Sequence, residues 1–97
     1  MFSVRLTRAA RRDLRKLASS VQTAIRNEIV KIARNPYADK KLQGSLRHLR
    51  SARLNHRAHT YRIAYEILED IVVVEIVMVG KRDGFYQKLE RRLRGRS

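Results

Sequence analysis

The run Tyr61–Tyr86, YRIAYEILEDIVVVEIVMVGKRDGFY, contains two strand-like segments separated by Leu68-Glu69-Asp70. Its second segment opens at Gly80 into a basic, aromatic-containing stretch. Val, Ile and Tyr are enriched in strands because their branched or flat side chains pack well on a pleated surface. Two such runs joined by a short polar break predict an antiparallel hairpin. Side chains alternate across a strand, so Tyr61, Ile63, Tyr65 and Ile67 share one face, and Thr60, Arg62, Ala64 and Glu66 the other. Arg62 is thereby held on a rigid strand, turned away from the apolar face. Gly80-Lys81-Arg82 sets two more cations where the next strand ends. On this reading the cations converge on a phosphate.

Working outward, Phe2–Leu6 alternates apolar and polar residues and predicts a short strand. Thr7 is placed to cap a helix in which Ala10, Leu14 and Leu17 recur at helical spacing. Ser19-Ser20 interrupts and offers a second cap, and Val21, Ile25, Ile29 and Ile32 form another stripe. That helix closes near Asn35-Pro36, because a residue before proline is pushed out of the helical region. The segment Asn35–Ser45, with Pro36, Asp39 and Gly44, reads as loop. Leu49–Asn55 reads as a weaker strand and His56–His59 as the turn after it. The Ile71–Val79 run is nine residues with Glu75 inside it, too short for a membrane span, and reads as a buried strand. Beyond Gly84, Phe85, Leu89 and Leu93 make a short stripe on a basic terminal helix.

The expected fold is therefore α+β: a small antiparallel sheet with an N-terminal αα-hairpin packed on one face. The order is β-α-α-β-β-β plus a short C-terminal helix. A stripe on each helix needs a sheet to cover, which leaves the opposite sheet face free. The chain of 97 residues reads as a single domain spanning 1–97, with 84–97 as a basic helix and tail. A domain of this size buries roughly 65% of its unfolded surface, so the core is limited.

Charge narrows the partners. Twenty-three Lys and Arg against nine Asp and Glu give +14, a surface that binds polyanions. There is no cysteine, which removes disulfides and thiolate metal sites and fits a reducing cytoplasm. No apolar leader is visible, since Arg5 and Arg8 interrupt the start of the chain. The carboxylates are scattered, and His48, His56 and His59 lack a ligand-like partner set, so no metal or other cofactor is expected.

On the free face or its rim the pattern places Arg53, Arg62 and Arg82, with Lys81 near the strand end. Guanidinium groups bind phosphate oxygens bidentately and stay charged at any working pH. Several on one surface can neutralise charge that develops on a phosphate during transfer. Tyr86 follows Arg82 by four residues; its phenol can act in proton transfer, or its ring can stack on a base. It also forms an i, i+3, i+7 stripe with Leu89 and Leu93, so anchoring the last helix is an equal alternative.

The N-terminal strand, the basic helical hairpin, the YRIAY strand and an aliphatic strand ending in VGKR with a tyrosine soon after together resemble the RelE/ParE toxin superfamily. The similarity is closest to the RelE-like branch and covers Val4 to about Leu93. The resemblance implies a toxin that acts as a ribosome-dependent, metal-independent endoribonuclease in the cytoplasm. There the ribose 2′-hydroxyl of messenger RNA attacks the adjacent phosphate. It also implies an acidic, RelB-like antitoxin that covers the arginines, with room for a heterotetramer. Carried over, Arg62 and Arg82 match the arginines that stabilise the transition state, Arg53 matches a basic residue of the preceding strand, and Tyr86 the C-terminal tyrosine. Lys81, Arg57, Arg50 and Phe85 are expected to contact substrate.

Three departures stand out. Ser51 occupies the position where that branch tends to carry a second lysine, and strand parity turns its neighbour Arg50 to the wrong face unless there is a bulge. The turn before Tyr61 is longer than usual, bringing Arg57, His56 and His59 into question as substitutes. Phe85 competes with Tyr86. The general base is open between Tyr86, a Lys or Arg, and a histidine. Two other functions share these features: ParE-like inhibition of DNA gyrase, and a non-catalytic RNA- or ribosome-binding module.

Overall fold

The structure, a computed structural model, describes residues 1–95. Five strands form one sheet in the order β1-β5-β4-β3-β2. They are β1 (Ser3–Leu6), β2 (Lys40–Lys41), β3 (Arg50–His56), β4 (His59–Leu68) and β5 (Val73–Lys81). The helices are α1 (Arg8–Arg15), α2 (Ser19–Arg34) and α3 (Phe85–Arg94). This is the expected α+β architecture, but the sheet is mixed, because β1 runs parallel to β5. A first strand that must leave room for two helices before the chain returns can join a sheet edge in either sense; the β3–β4 and β4–β5 hairpins are antiparallel by necessity.

Local chemistry accounts for most boundaries. The Thr7 hydroxyl accepts a hydrogen bond from the Ala10 N–H at 3.1 Å and starts α1. For α2 the expected Ser19-Ser20 cap is displaced by one residue. Ala18 is the N-cap, without a side-chain hydrogen bond, and both serines lie inside the helix. Val21, Ile25, Ile29 and Ile32 are buried as the stripe requires. Within the expected loop, Lys40 and Lys41 pair with Ser51 and Arg50 to add a two-residue edge strand. The hairpin break is longer than Leu68-Glu69-Asp70. Residues Glu69–Ile71 form a 3₁₀ turn and Val72 is left-handed at φ 55°, so β5 starts at Val73 rather than Ile71.

One feature of β5 controls both faces. Ala64 pairs with Met78 but Tyr65 pairs with Ile76, so Val77 is an extra residue, a β-bulge. Val74, Ile76 and Val79 therefore join the core under α1 and α2, with Ile63, Tyr65 and Ala52. Val77 and Met78 both turn to the opposite side, where they pack with Ala64, Leu46, Leu49, Phe85 and Leu89 in a second core. The second face is thus not free along its whole length, contrary to the expectation from the helical hairpin alone. Burying Phe85 and Leu89 holds α3 over its middle, and the part near the β3–β4 turn stays open, as does the far end, where Arg5 pairs with Glu75. Of the expected tail, Arg96 and Ser97 lie outside the described residues. Among the described residues, no helix is long and apolar enough to cross a membrane.

Candidate functional site

On the open part of the second face, Arg53 of β3 stands directly opposite Arg62 of β4. Like charges in that position repel across the ladder, so the pair weakens the sheet rather than supporting it. On its other side Arg62 is opposite Gly80 of β5, which has no side chain to fill the space. A methyl group there would meet only the Phe85 ring, at 3.8 Å. Arg62 is half-buried and its Nε has no hydrogen-bond partner. A buried guanidinium N–H without an acceptor is rare in folded proteins and suits an oxygen-rich ligand.

Tyr86, at the start of α3, closes one side of this arrangement. Its ring centroid lies 5.3 Å from Arg62 Cζ, a cation–π contact. Its hydroxyl donates to Ser51 Oγ at 3.4 Å, and its ring meets Phe85 edge-on at 5.6 Å. Tyr86 remains 36% exposed, whereas Phe85 is 1% exposed and belongs to the second core. Of the two rings, Tyr86 is therefore the one a ligand can reach; the expected contact between Phe85 and substrate is replaced by a packing role.

Arg82 extends the same face. Its N–H donates to the Thr60 carbonyl at 2.9 Å, carrying the β4–β5 register one step beyond β5. Parity then sets Arg82 on the side of Gly80 and Arg62. Its side chain is 63% exposed, and the carboxylate of Asp83, 94% exposed, comes no closer than 3.7 Å. Such a contact costs little to break. Among the described residues, the Arg82 guanidinium has no other ion-pair partner.

The remaining expected contacts lie elsewhere. Lys81 has the opposite parity from Gly80 and Arg82. It lines a cleft on the helical side with Arg57, Lys16, His56 and His59. Arg57 occupies the two-residue β3–β4 turn at φ 57°. Arg50 is opposite Tyr65, also on the helical side. Its Nη1 donates to the Asp39 carbonyl at 2.8 Å, and its guanidinium lies 5.5 Å from the Tyr37 ring, so it pins the loop after α2. Neither His56 nor His59 is on the face of Arg62. Among the described residues, no group of three or more His, Cys, Asp and Glu is placed to hold a metal ion.

A family model described as ParE-like toxin of type II bacterial toxin-antitoxin system matches residues 4–90. The chain belongs to this family. Within the wider RelE/ParE superfamily it is similar to the mRNA interferase toxin RelE of Escherichia coli, 29% identical over 75 residues that make up 76% of each chain. A solved toxin–antitoxin complex, RelBE2 from Mycobacterium tuberculosis, contains a chain 32% identical, with a TM-score of 0.72 over 84% of this chain and 98% of that one. The isolated Escherichia coli RelE toxin is 27% identical, with a TM-score of 0.71 over 96% of this chain and 99% of that one.

For a ParE-like toxin of the RelE type, the residue that sequence reasoning undervalued is Ser51. In the sequence it stands out only as the absence of a lysine. In the fold it is almost buried beside Tyr86 and receives the phenol hydroxyl. Parity on β3 was the available signal, since Ser51 and Arg53 share a face.

Proposed function

We propose that this toxin is a ribosome-dependent endoribonuclease that cuts messenger RNA in the cytoplasm, without a catalytic metal ion. The observation that carries the reading is the Arg53–Arg62 pair with the Tyr86 ring against Arg62. The ribose 2′-oxygen loses its proton and attacks the adjacent phosphorus. The bond from phosphorus to the 5′-oxygen breaks, and the leaving oxygen takes a proton, giving a 2′,3′-cyclic phosphate and a free 5′-hydroxyl. Negative charge builds on the non-bridging oxygens, where Arg62, with its unpartnered Nε, and Arg53 and Arg82 stabilise it. Tyr86 has the position for proton transfer or for stacking on a base. The mRNA interferase names of the similar RelE proteins support the same chemistry.

The Mycobacterium tuberculosis relative, solved as a toxin–antitoxin complex, supports an antitoxin as partner; on our reading that partner is acidic and RelB-like, in a heterotetramer. The antitoxin would cover the arginine face and neutralise the charge of +14. The test is expression of the wild type and of Arg62→Ala, read by growth and by mapping message ends on translating ribosomes. Growth arrest with discrete cuts for the wild type, and neither for the variant, is expected. Arrest without cuts, accompanied by loss of DNA supercoiling, would replace this reading by gyrase inhibition.

A further inference from the structure

Behind the β3–β4 turn, on the side of the sheet away from Arg62, lies a cleft of about 340 Å³. It is within the size range of small-ligand sites, roughly 300–1,000 Å³. Three cations from three different elements converge on it: Lys16 after α1, Arg57 in the turn and Lys81 at the end of β5. Among the described residues, none of the three is in an ion pair, and no carboxylate lines the cleft. His56 also lines it, with a buried Nε2 that has no hydrogen-bond partner. Ala18 and Ser20 add the start of α2, whose Ala18 cap leaves the first-turn N–H groups without a side-chain acceptor. A neutral ligand would leave these donors and charges uncompensated.

A second cleft, of about 230 Å³, adjoins the first. The two share His59 and Lys81, and the second contains Thr60, Arg82 and Asp83, at the rim of the open face; the Asp83 carboxylate is 94% exposed, 3.7 Å from the Arg82 guanidinium. Positive side chains thus continue round the tip of the hairpin, from Arg82 through Lys81 and Arg57 to Lys16. A point ion needs one such cluster; a chain of phosphates uses a track.

We propose that the Lys16–Arg57–Lys81 cleft is a second anion site, which takes a backbone phosphate of the RNA strand as it passes round the β3–β4 turn from the open face. It rests on the reading of the open face as an RNA site, but it is separable from cleavage. The site positions the strand and makes no contact with the reacting phosphate. Backbone phosphate contacts of this kind fix register without reading sequence.

The imidazole resonances of His56 report occupancy directly. Wild-type toxin is titrated with inorganic phosphate, and separately with a short single-stranded RNA carrying 2′-deoxyriboses so that it stays intact. Saturable shifts of His56 with both probes are expected. They should vanish in a Lys16→Gln, Arg57→Gly, Lys81→Gln variant, in which glycine suits the left-handed turn and the circular dichroism should match the wild type. The same variant should bind the RNA with a salt dependence shallower by about 0.7 in log–log slope, the loss of one phosphate contact. In Arg62→Ala the His56 shift with phosphate should persist even though cleavage is gone. Absence of a His56 shift in a wild type that cleaves message would overturn the second site and leave the nuclease intact. A shift that survives the triple variant, or one lost in Arg62→Ala, would overturn it as well.

Discussion

Asp13 of α1 and Arg92 of α3 form a two-bond ion pair across the unpaired half of β5. Arg92 Nη1 donates to Asp13 Oδ2 at 2.7 Å and Nη2 to Oδ1 at 2.9 Å. Because β1 pairs with β5 only as far as Ile76, the outer edge from Val77 to Val79 has no strand beside it. The ion pair takes its place. The Val79 N–H donates to Asp13 Oδ2 at 3.1 Å, and Arg92 Nη1 donates to the Val77 carbonyl at 3.0 Å. One contact therefore blunts a sheet edge, satisfies the bulged segment and ties the helix of the second core to the helical hairpin of the first. The hydrogen bond to Asp13 outweighs burial and raises the Arg92 pKa above its ordinary value.

Asp13→Ala should destabilise the fold by about 2–3 kcal/mol, more than a surface ion pair contributes, because it strands both a half-buried guanidinium and a strand N–H. Urea unfolding measures this. Asp13→Asn, which keeps an acceptor for Val79, should recover part of the loss. An effect of Asp13→Ala below about 0.5 kcal/mol would show that the edge is held by other contacts.

Arg53 and Arg62 should separate stability from activity. Arg53→Ala removes a like-charge neighbour from the ladder and is expected to raise stability by up to about 1 kcal/mol. In the same protein, cleavage of message should fall on the order of a hundredfold, as for loss of a transition-state donor. Thermal melts and cleavage rates on translating ribosomes, taken together, give both signs. A drop in stability with unchanged rate would make Arg53 a structural residue.

For Tyr86 the two roles left open by the sequence predict different variants. If the hydroxyl moves a proton, Tyr86→Phe should bind RNA normally yet cut it on the order of a hundredfold more slowly. Ser51→Ala should then slow cutting about fivefold, the cost of about 1 kcal/mol of hydrogen bond. If the ring only stacks, Tyr86→Phe should be near wild type, and Tyr86→Ala should lose binding instead, by about 1–3 kcal/mol. Binding to uncleavable RNA, measured beside single-turnover rates, distinguishes the two.

What the sequence disclosed and what it hid follow the strength of alternation. Tyr61, Ile63 and Tyr65 alternate with Arg62 and Ala64, and the parity read from them is the parity of β4. The stretch from Ile71 to Val79 is apolar at nearly every position, so nothing in it marks the extra residue at Val77. The second core was hidden with the bulge, since only the bulge turns two consecutive side chains, Val77 and Met78, toward Phe85 and Leu89. Val72 in a left-handed turn was equally illegible, because a β-branched residue is the last one expected there. The shared face of Arg53 and Arg62 followed from parity alone. The side taken by Lys81 did not, because the apolar run before it offers no alternation from which to read the facing of the strand end.

Tyr65 links the loop after α2 to the sheet, and its ionisation should limit stability in alkali. It is fully buried, and its hydroxyl donates to the Pro36 carbonyl at 2.7 Å and lies 3.0 Å from Asp39 Oδ2. Burial first, and then the negative charge of Asp39, push its pKa well above the ordinary 10.0. The folded state therefore keeps the proton that the unfolded chain releases. The contribution to stability is complete below about pH 10 and is lost as pH rises from there toward the folded value, by at most about 1.4 kcal/mol per pH unit. Tyr65→Phe cannot ionise. It should be less stable at neutral pH by about 1 kcal/mol through the lost hydrogen bonds, yet lose less stability than the wild type between about pH 9 and pH 11. Urea midpoints across that interval measure both slopes, and parallel slopes would show that Tyr65 is not the source of the alkaline loss.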